Sequence, residues 1–240
     1  MPALTETVRE IALNQPTSIR VFEQFGIDYC CGGKKPLALA CTEMNVEPES
    51  LLAALDSAAA ISTPNASDWA KASLESLSQH ITSRHHEYVK KELPRLAALA
   101  VKVIAKHGAK HLELTEIQST LSTLDQELTQ HLAKEELVLF PYITKLERTL
   151  ASGGGRPESC FGTVANPIAM MTQEHDAAGG LLATLRRLSN SFTTPADACP
   201  TYRAFYDGLK EFEQDLHQHI HLENNILFPR AIEMEASSSR

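Results

Sequence analysis

The chain has 240 residues, 43% of them hydrophobic, and a formal net charge of −8. That acidity argues against a general nucleic-acid surface or binding to an anionic membrane. No run of about 18 apolar residues marks a transmembrane helix. The length suits one large domain, or one domain with a small appendage. Residues 1–15 carry Glu6, Arg9 and Glu10 and lack the apolar centre of a secretion signal. Five cysteines, an odd number with Cys30 and Cys31 adjacent, form no disulfide framework. Reduced thiols in the cytoplasm are expected.

Long stretches follow a 3.6-residue apolar period and none follows a period of two, so the expected fold is all-α. Residues 1–60 read as a small helical domain. Its first helix runs from about Thr5 to Leu13, and its second follows Pro16-Thr17-Ser18 and stops at Gly26. A third begins with Pro36 at its first position, and a fourth follows Glu47-Pro48-Glu49-Ser50. Residues 61–68, rich in Ser, Thr, Pro and Asn, read as a linker. Residues 69–240 then hold four long helices, over about 70–107, 114–148, 166–191 and 201–235, with Pro94 expected to kink or break the first. Four such helices with short connections predict a four-helix bundle.

Helices two and four carry one motif twice. Gln130-His131-Leu132-Ala133-Lys134-Glu135, followed by Leu139-Phe140-Pro141, recurs 88 residues later as Gln218-His219-Ile220-His221-Leu222-Glu223, followed by Leu227-Phe228-Pro229. A histidine four residues before a glutamate puts both on one helix face. A single such pair is usually a solvated surface pair; repetition with a shared tail points to metal. The offset of about 88 also links His175, the one histidine of helix three, to His86 or, less favourably, His85 on helix one. The candidate ligand set is thus His86, His131, Glu135, His175, His219 and Glu223. Imidazoles with carboxylates suit iron or manganese, whereas a structural zinc site favours thiolates. If both glutamates bridge two ions that share an oxo or hydroxo group, roughly two of about twelve coordination positions stay open. Glu127 and Asp215, each four residues before a ligand histidine, are candidates for orienting an imidazole. His107 and His111 near a helix end suit a surface or capping role, His80 a surface position or one beside the ligands, and His217 and His221 point off the face of His219.

Asp28-Tyr29-Cys30-Cys31-Gly32-Gly33 is the second unusual string. Lys34, Lys35 and a helix start at Pro36 would favour thiolate, so Cys30 and Cys31 read as a reactive pair or, equally, as two small apolar residues at a turn. With this string and the six metal candidates together, nearly the whole chain resembles the iron-sulfur cluster repair di-iron proteins, the repair of iron centres family. The resemblance implies a Cys-Cys domain ahead of a hemerythrin-like bundle. It favours His86 over His85 and makes Glu135 and Glu223 bridging carboxylates between two non-haem irons. An oxygen-carrying hemerythrin is expected to offer one more histidine, so iron release or small-molecule chemistry is favoured over oxygen storage.

The resemblance implies a stress-response protein that restores iron-sulfur clusters damaged by nitric oxide or oxidants. Three functions follow: an iron donor to damaged clusters, with Cys30 or Cys31 as the relay; a di-iron nitric oxide reductase; and an oxygen or nitric oxide sensor. Expected partners are cluster-damaged iron-sulfur proteins and nitric oxide or oxygen as small ligands, with a homodimer possible and no nucleic acid or membrane.

Overall fold

The computed structural model describes residues 2–60 and 69–238; the expected linker at 61–68 lies outside them. Among the described residues the regular structure is helical throughout. Four short helices come first: α1 (Val8–Asn14), α2 (Ser18–Phe25), α3 (Leu37–Met44) and α4 (Pro48–Ala59). A reciprocal cap starts α1: the Glu10 backbone N–H donates to the Thr7 hydroxyl at 3.1 Å, and the Thr7 N–H donates to the Glu10 carboxylate at 2.8 Å. Gly26 ends α2 in the left-handed region at φ 71°, where a side chain would be strained. Pro36 stands one place earlier than its sequence position predicts, as the extended cap residue of α3, because ψ 147° is not helical.

The rest of the chain forms four rods. The first joins α5 (Leu74–His80) to α6 (Glu87–His107) through a wide π turn, Ile81–His86. The second joins α7 (Glu113–Lys134) to α8 (Phe140–Ala151) through Glu135–Leu139. The third is α9 (Ala165–Leu188), and the fourth joins α10 (Pro200–Leu222) to α11 (Phe228–Ser237) through Glu223–Leu227. Pro94 neither breaks nor ends α6. Its ring lies on the exposed face, so the carbonyl four residues earlier can bond water in place of the missing N–H.

The buried apolar side chains form two clusters. One holds Val89–Val103 positions of the first rod, Leu114–Leu132 positions of the second, Ala178, Leu182 and Leu185 of the third, and Tyr202–Ile220 positions of the fourth. The N-terminal helices add Val8, Phe22, Leu37 and Leu51 to that same cluster, and the turn between α2 and α3 adds Tyr29. The other cluster gathers Leu74, Ile81, Leu139, Ile143, Met171, Leu227 and Phe228 at the opposite end. Between them every rod crosses a layer of buried His and Glu.

Candidate metal centre

The polar layer consists of His86, His131, Glu135, His175, His219 and Glu223, each at most 3% exposed. Three of the four rods widen into a π turn where they reach it. His86 closes the first such turn, while Glu135 and Glu223 open the other two. The wide bond runs five residues back in each case, from Glu87 N–H to Thr82, Phe140 N–H to Glu135 and Phe228 N–H to Glu223. In the second and fourth rods the next residue, Pro141 or Pro229, has no N–H to restore the four-residue pattern. The ligand face is thereby rotated relative to a regular helix, and the shared Phe-Pro tail is its local cause.

The six side chains form two groups that share both glutamates: His86, Glu135, His219 and Glu223, and His131, Glu135, His175 and Glu223. Within each group the donor atoms all lie within 4.8 Å of one another. Glu135 Oε2 stands 3.5 Å from His86 Nε2 and 3.4 Å from His131 Nε2. Glu223 turns Oε1 to His219 at 3.0 Å and Oε2 to His175 at 3.1 Å. The imidazoles also face each other nitrogen to nitrogen, His86 to His219 at 3.2 Å and His131 to His175 at 3.1 Å.

Their outer nitrogens explain the orientation. His86 Nδ1 meets Glu136 at 2.8 Å, His131 Nδ1 meets Glu174 at 2.9 Å and His175 Nδ1 meets the Asn224 carbonyl oxygen at 2.9 Å. A proton on each Nδ1 leaves the Nε2 lone pairs aimed inward at other lone pairs and at carboxylates. Both Glu135 oxygens are buried without a hydrogen-bond donor. Burying such groups unpaired costs several kcal/mol each, and cations in the middle would remove that cost. The residues therefore fit a metal pair, with nitrogen and oxygen donors only.

Charge follows the same pattern. Burial, and then the neighbouring imidazole of His175, pull His131 down to about 4. Burial pulls His219 down to about 4 as well. Both rings are thus kept in the neutral form that binds metal. Burial pushes the Glu135 carboxyl well above its ordinary range, and Glu223 adds to the push. Burial acts in the same sense on Glu223, but His219 and the bonds from His175, His219 and His86 hold it well below.

The two candidate orienting acids lie elsewhere. Glu127 is exposed. Four residues advance a helix by about 400°, so a residue four before an inward ligand is turned some 40° off its face. Asp215 bonds His85 Nδ1 at 3.1 Å instead of His219. His219 Nδ1 has no hydrogen-bond partner among the described residues; the His85 ring stacks beside it at 5.7 Å and 10°. The carboxylates that do orient imidazoles, Glu136 and Glu174, were not among the sequence candidates, nor was Asn224. The repeat could have found two of them, because the 88-residue offset that relates Glu135 to Glu223 also relates Glu136 to Asn224.

Residues 77–231 match the model of the hemerythrin HHE cation binding domain, and residues 4–59 match a second family model, ScdA_N, a domain of unknown function. An iron-sulfur cluster repair protein YtfE from Yersinia pseudotuberculosis serotype IB (strain PB1/+) is 38% identical over 230 residues, covering 96% of this chain and 98% of the relative. One from Yersinia pestis (strain Pestoides F) matches to the same extent. The chain belongs to the YtfE family of iron-sulfur cluster repair proteins.

In this family member the Cys-Cys turn lies against the fourth rod. The Asp28 carboxylate accepts the backbone N–H of Cys30 and Cys31 at 2.9 Å and of Gly32 at 2.8 Å. A Cβ on Gly33 would stand 2.7 Å from the Tyr29 carbonyl oxygen, so the turn closes only around glycine. Asn225 donates to the Tyr29 carbonyl at 3.0 Å, Asn224 to that of Cys30 at 3.4 Å, and the Tyr29 ring meets His221 edge-on at 5.5 Å. His217 and His221, turned off the metal face, are thus the surface that receives the N-terminal helices. The two sulfurs stand 3.7 Å apart, and Cys31 Sγ reaches within 3.8 Å of the His175 carbonyl. The expected push toward thiolate does not hold at Cys30. The hydrogen bond with Cys31, burial and Asp28 raise that thiol well above its ordinary value, and Lys35 is paired with Glu43. No helix among the described residues is long and apolar enough to cross a membrane.

Proposed function

We propose that the chain repairs iron-sulfur clusters damaged by nitrosative or oxidative stress, supplying iron from a non-haem iron pair held by His86, His131, Glu135, His175, His219 and Glu223. The observation that carries this reading is the pair of four-residue groups sharing two buried carboxylates, of which Glu135 has no hydrogen-bond donor on either oxygen, in a chain whose relatives are named for cluster repair. Glu135 and Glu223 would bridge the two ions, with an oxo or hydroxo group shared between them. When bound, the pair supplies iron with open positions at which nitric oxide or oxygen can ligate.

The chain's own residues give the iron a way out. His175 depends on Asn224 for its orientation, and Asn224 also bonds the Cys30 carbonyl. Motion of the Cys-Cys turn therefore reaches that imidazole first. Beside it opens a groove of about 320 Å³ lined by Arg9, Cys30, Cys31, Lys34, Thr172 and Asn224. Cys30 and Cys31 would take the departing ion as soft donors once deprotonated. All five cysteines are free, in keeping with a reducing cytoplasm where damaged clusters need replacement.

The test mixes iron-loaded protein with a dehydratase whose cluster has been destroyed by nitric oxide. Activity should return as iron leaves the bundle in proportion, and Cys30→Ser with Cys31→Ser should slow the transfer at unchanged iron content. A dehydratase left inactive, with both irons still bound, ends the proposal.

A further inference from the structure

A second cluster of metal-binding side chains lies at the far end of the bundle. His107 is the last residue of α6 and stands 21 residues from His86, about 30 Å along the helix at 1.5 Å per residue. One donor atom each from His107, His111 and Asp197 falls within 4.8 Å of the others. Sequence position suggested a surface or capping role for the two histidines, yet His107 is only 7% exposed. Its Nε2 is buried with no hydrogen-bond partner among the described residues.

His111 bears a carboxylate on each nitrogen, Glu113 at 3.1 Å on Nδ1 and Asp197 at 3.0 Å on Nε2. If Nδ1 donates to Glu113, Nε2 turns a lone pair toward Asp197, and only a second proton or a cation between them makes that contact favourable. Carboxylate, imidazole, then cation is the arrangement that fixes ligand histidines in metal sites. The Tyr202 ring holds both imidazoles, at 5.3 Å from His107 and 5.6 Å from His111. The His107 carbonyl accepts the N–H of Lys110 at 2.9 Å and of His111 at 3.0 Å, closing the turn that brings the two rings together. Cys199 lies two residues after Asp197, and the His107 imidazole, more than any other neighbour, lowers its thiol to about 7; its sulfur stands outside the group of mutually close donors.

We propose that His107, His111 and Asp197 bind one zinc-class divalent cation that ties the α9–α10 connection to the α6–α7 turn. Two imidazoles and a carboxylate make a nitrogen-and-oxygen donor set that suits zinc in a tetrahedron, with water as the fourth ligand. Zinc bonds of 2.0–2.3 Å set donors about 3.4 Å apart, so the side chains close by rotamer adjustments on the order of 1 Å. Lys106 and Lys110 oppose a cation here, and the carboxylates of Glu113 and Asp197 match them in charge. The site is separate from the iron centre, and its test does not depend on cluster repair.

The experiment uses the full chain in its iron-loaded form, with zinc ion alone as probe, followed by desalting and metal analysis. One zinc per chain should be retained with iron content unchanged, and His111→Ala and Asp197→Asn, both at partly or fully exposed positions, should each weaken retention at least tenfold. Cobalt in place of zinc should give the visible bands of a four-coordinate ion, and His111→Ala should abolish them. No zinc retained by the parent chain, or equal retention in both variants, overturns the site. Bands untouched by His111→Ala overturn the site as well. The iron-centre absorbance reports that each variant has folded.

Discussion

Each candidate iron position has one imidazole backed by a carboxylate and one that is not. Glu136 backs His86 and Glu174 backs His131, whereas His175 has the neutral amide of Asn224 and His219 has the face of His85. Burial opposes both outer carboxylates, but their bonds to Lys90 and Lys134 and to the imidazoles hold them ionised, below the ordinary range. An ionised partner makes its imidazole a stronger donor. Glu136→Ala and Glu174→Ala should therefore each weaken metal retention about 10- to 100-fold, read by competition with a chelator; variants that hold metal as tightly as the parent refute the roles. Cys199 titrates apart from the rest. In metal-free protein its alkylation, followed by peptide mass mapping, should reach half its maximal rate near pH 7, and His107→Ala should move that midpoint toward 9, because the His107 bond is the main stabiliser of the thiolate. The six inward side chains of the candidate site were legible as a group because the repeat marks them twice. The outer partners were not, because a carboxylate that orients an imidazole on a neighbouring rod obeys no spacing within its own helix.

Helix identity and order followed from apolar period and turn chemistry, but the π turns did not. A single five-residue bond changes the register by one residue, which a 3.6-residue pattern absorbs unnoticed. The clue lay in Pro141 and Pro229, each six residues after a ligand glutamate, where the helix must continue without an N–H. Pro94 looked like the stronger breaker and is not, since it faces water. Another cross-element device also escapes pattern reading. Glu235, 4% exposed near the end of α11, accepts the Val164 N–H that opens α9 at 3.0 Å and the hydroxyls of Thr163 and Tyr142. Glu235→Ala should cost about 2–4 kcal/mol by leaving several donors unpaired, measured by urea unfolding. Burial opposes its charge, but those donors hold the carboxyl below its ordinary 4.5. The folded chain thus releases this proton more readily than the unfolded one. The contribution is complete above the unfolded value and fades as pH falls through the lower folded one. The gap between parent and variant should therefore narrow below about pH 4.5; a gap that widens there contradicts the sign.

At the scale of the molecule, the first apolar cluster joins the N-terminal helices to the bundle, and the ligand layer divides it from the second. Boundaries between sequence segments gave no hint of that shared core, because the contacts of Tyr29 with His217 and His221 span nearly two hundred residues. A metal held by these side chains would bind the folded layer and not the unfolded chain. At about a thousandfold over its dissociation constant a ligand adds about 4 kcal/mol, and each kcal/mol moves the midpoint of a chain this size by about 2–4 °C. Chelation should therefore lower the melting temperature by on the order of 10 °C, and readdition of iron should restore it. An unchanged midpoint would mean that the layer is stable without cations.

The divided core also sets how long a chain survives. A rod that crosses a layer of uncompensated carboxylates and imidazoles opens there first, since water entering that seam solvates groups that otherwise stay bare. Transient opening is what a cellular protease cuts. If the layer holds iron as proposed, a chain that has surrendered it would be cut more readily, and the amount of protein in the cell would follow the iron available to refill it.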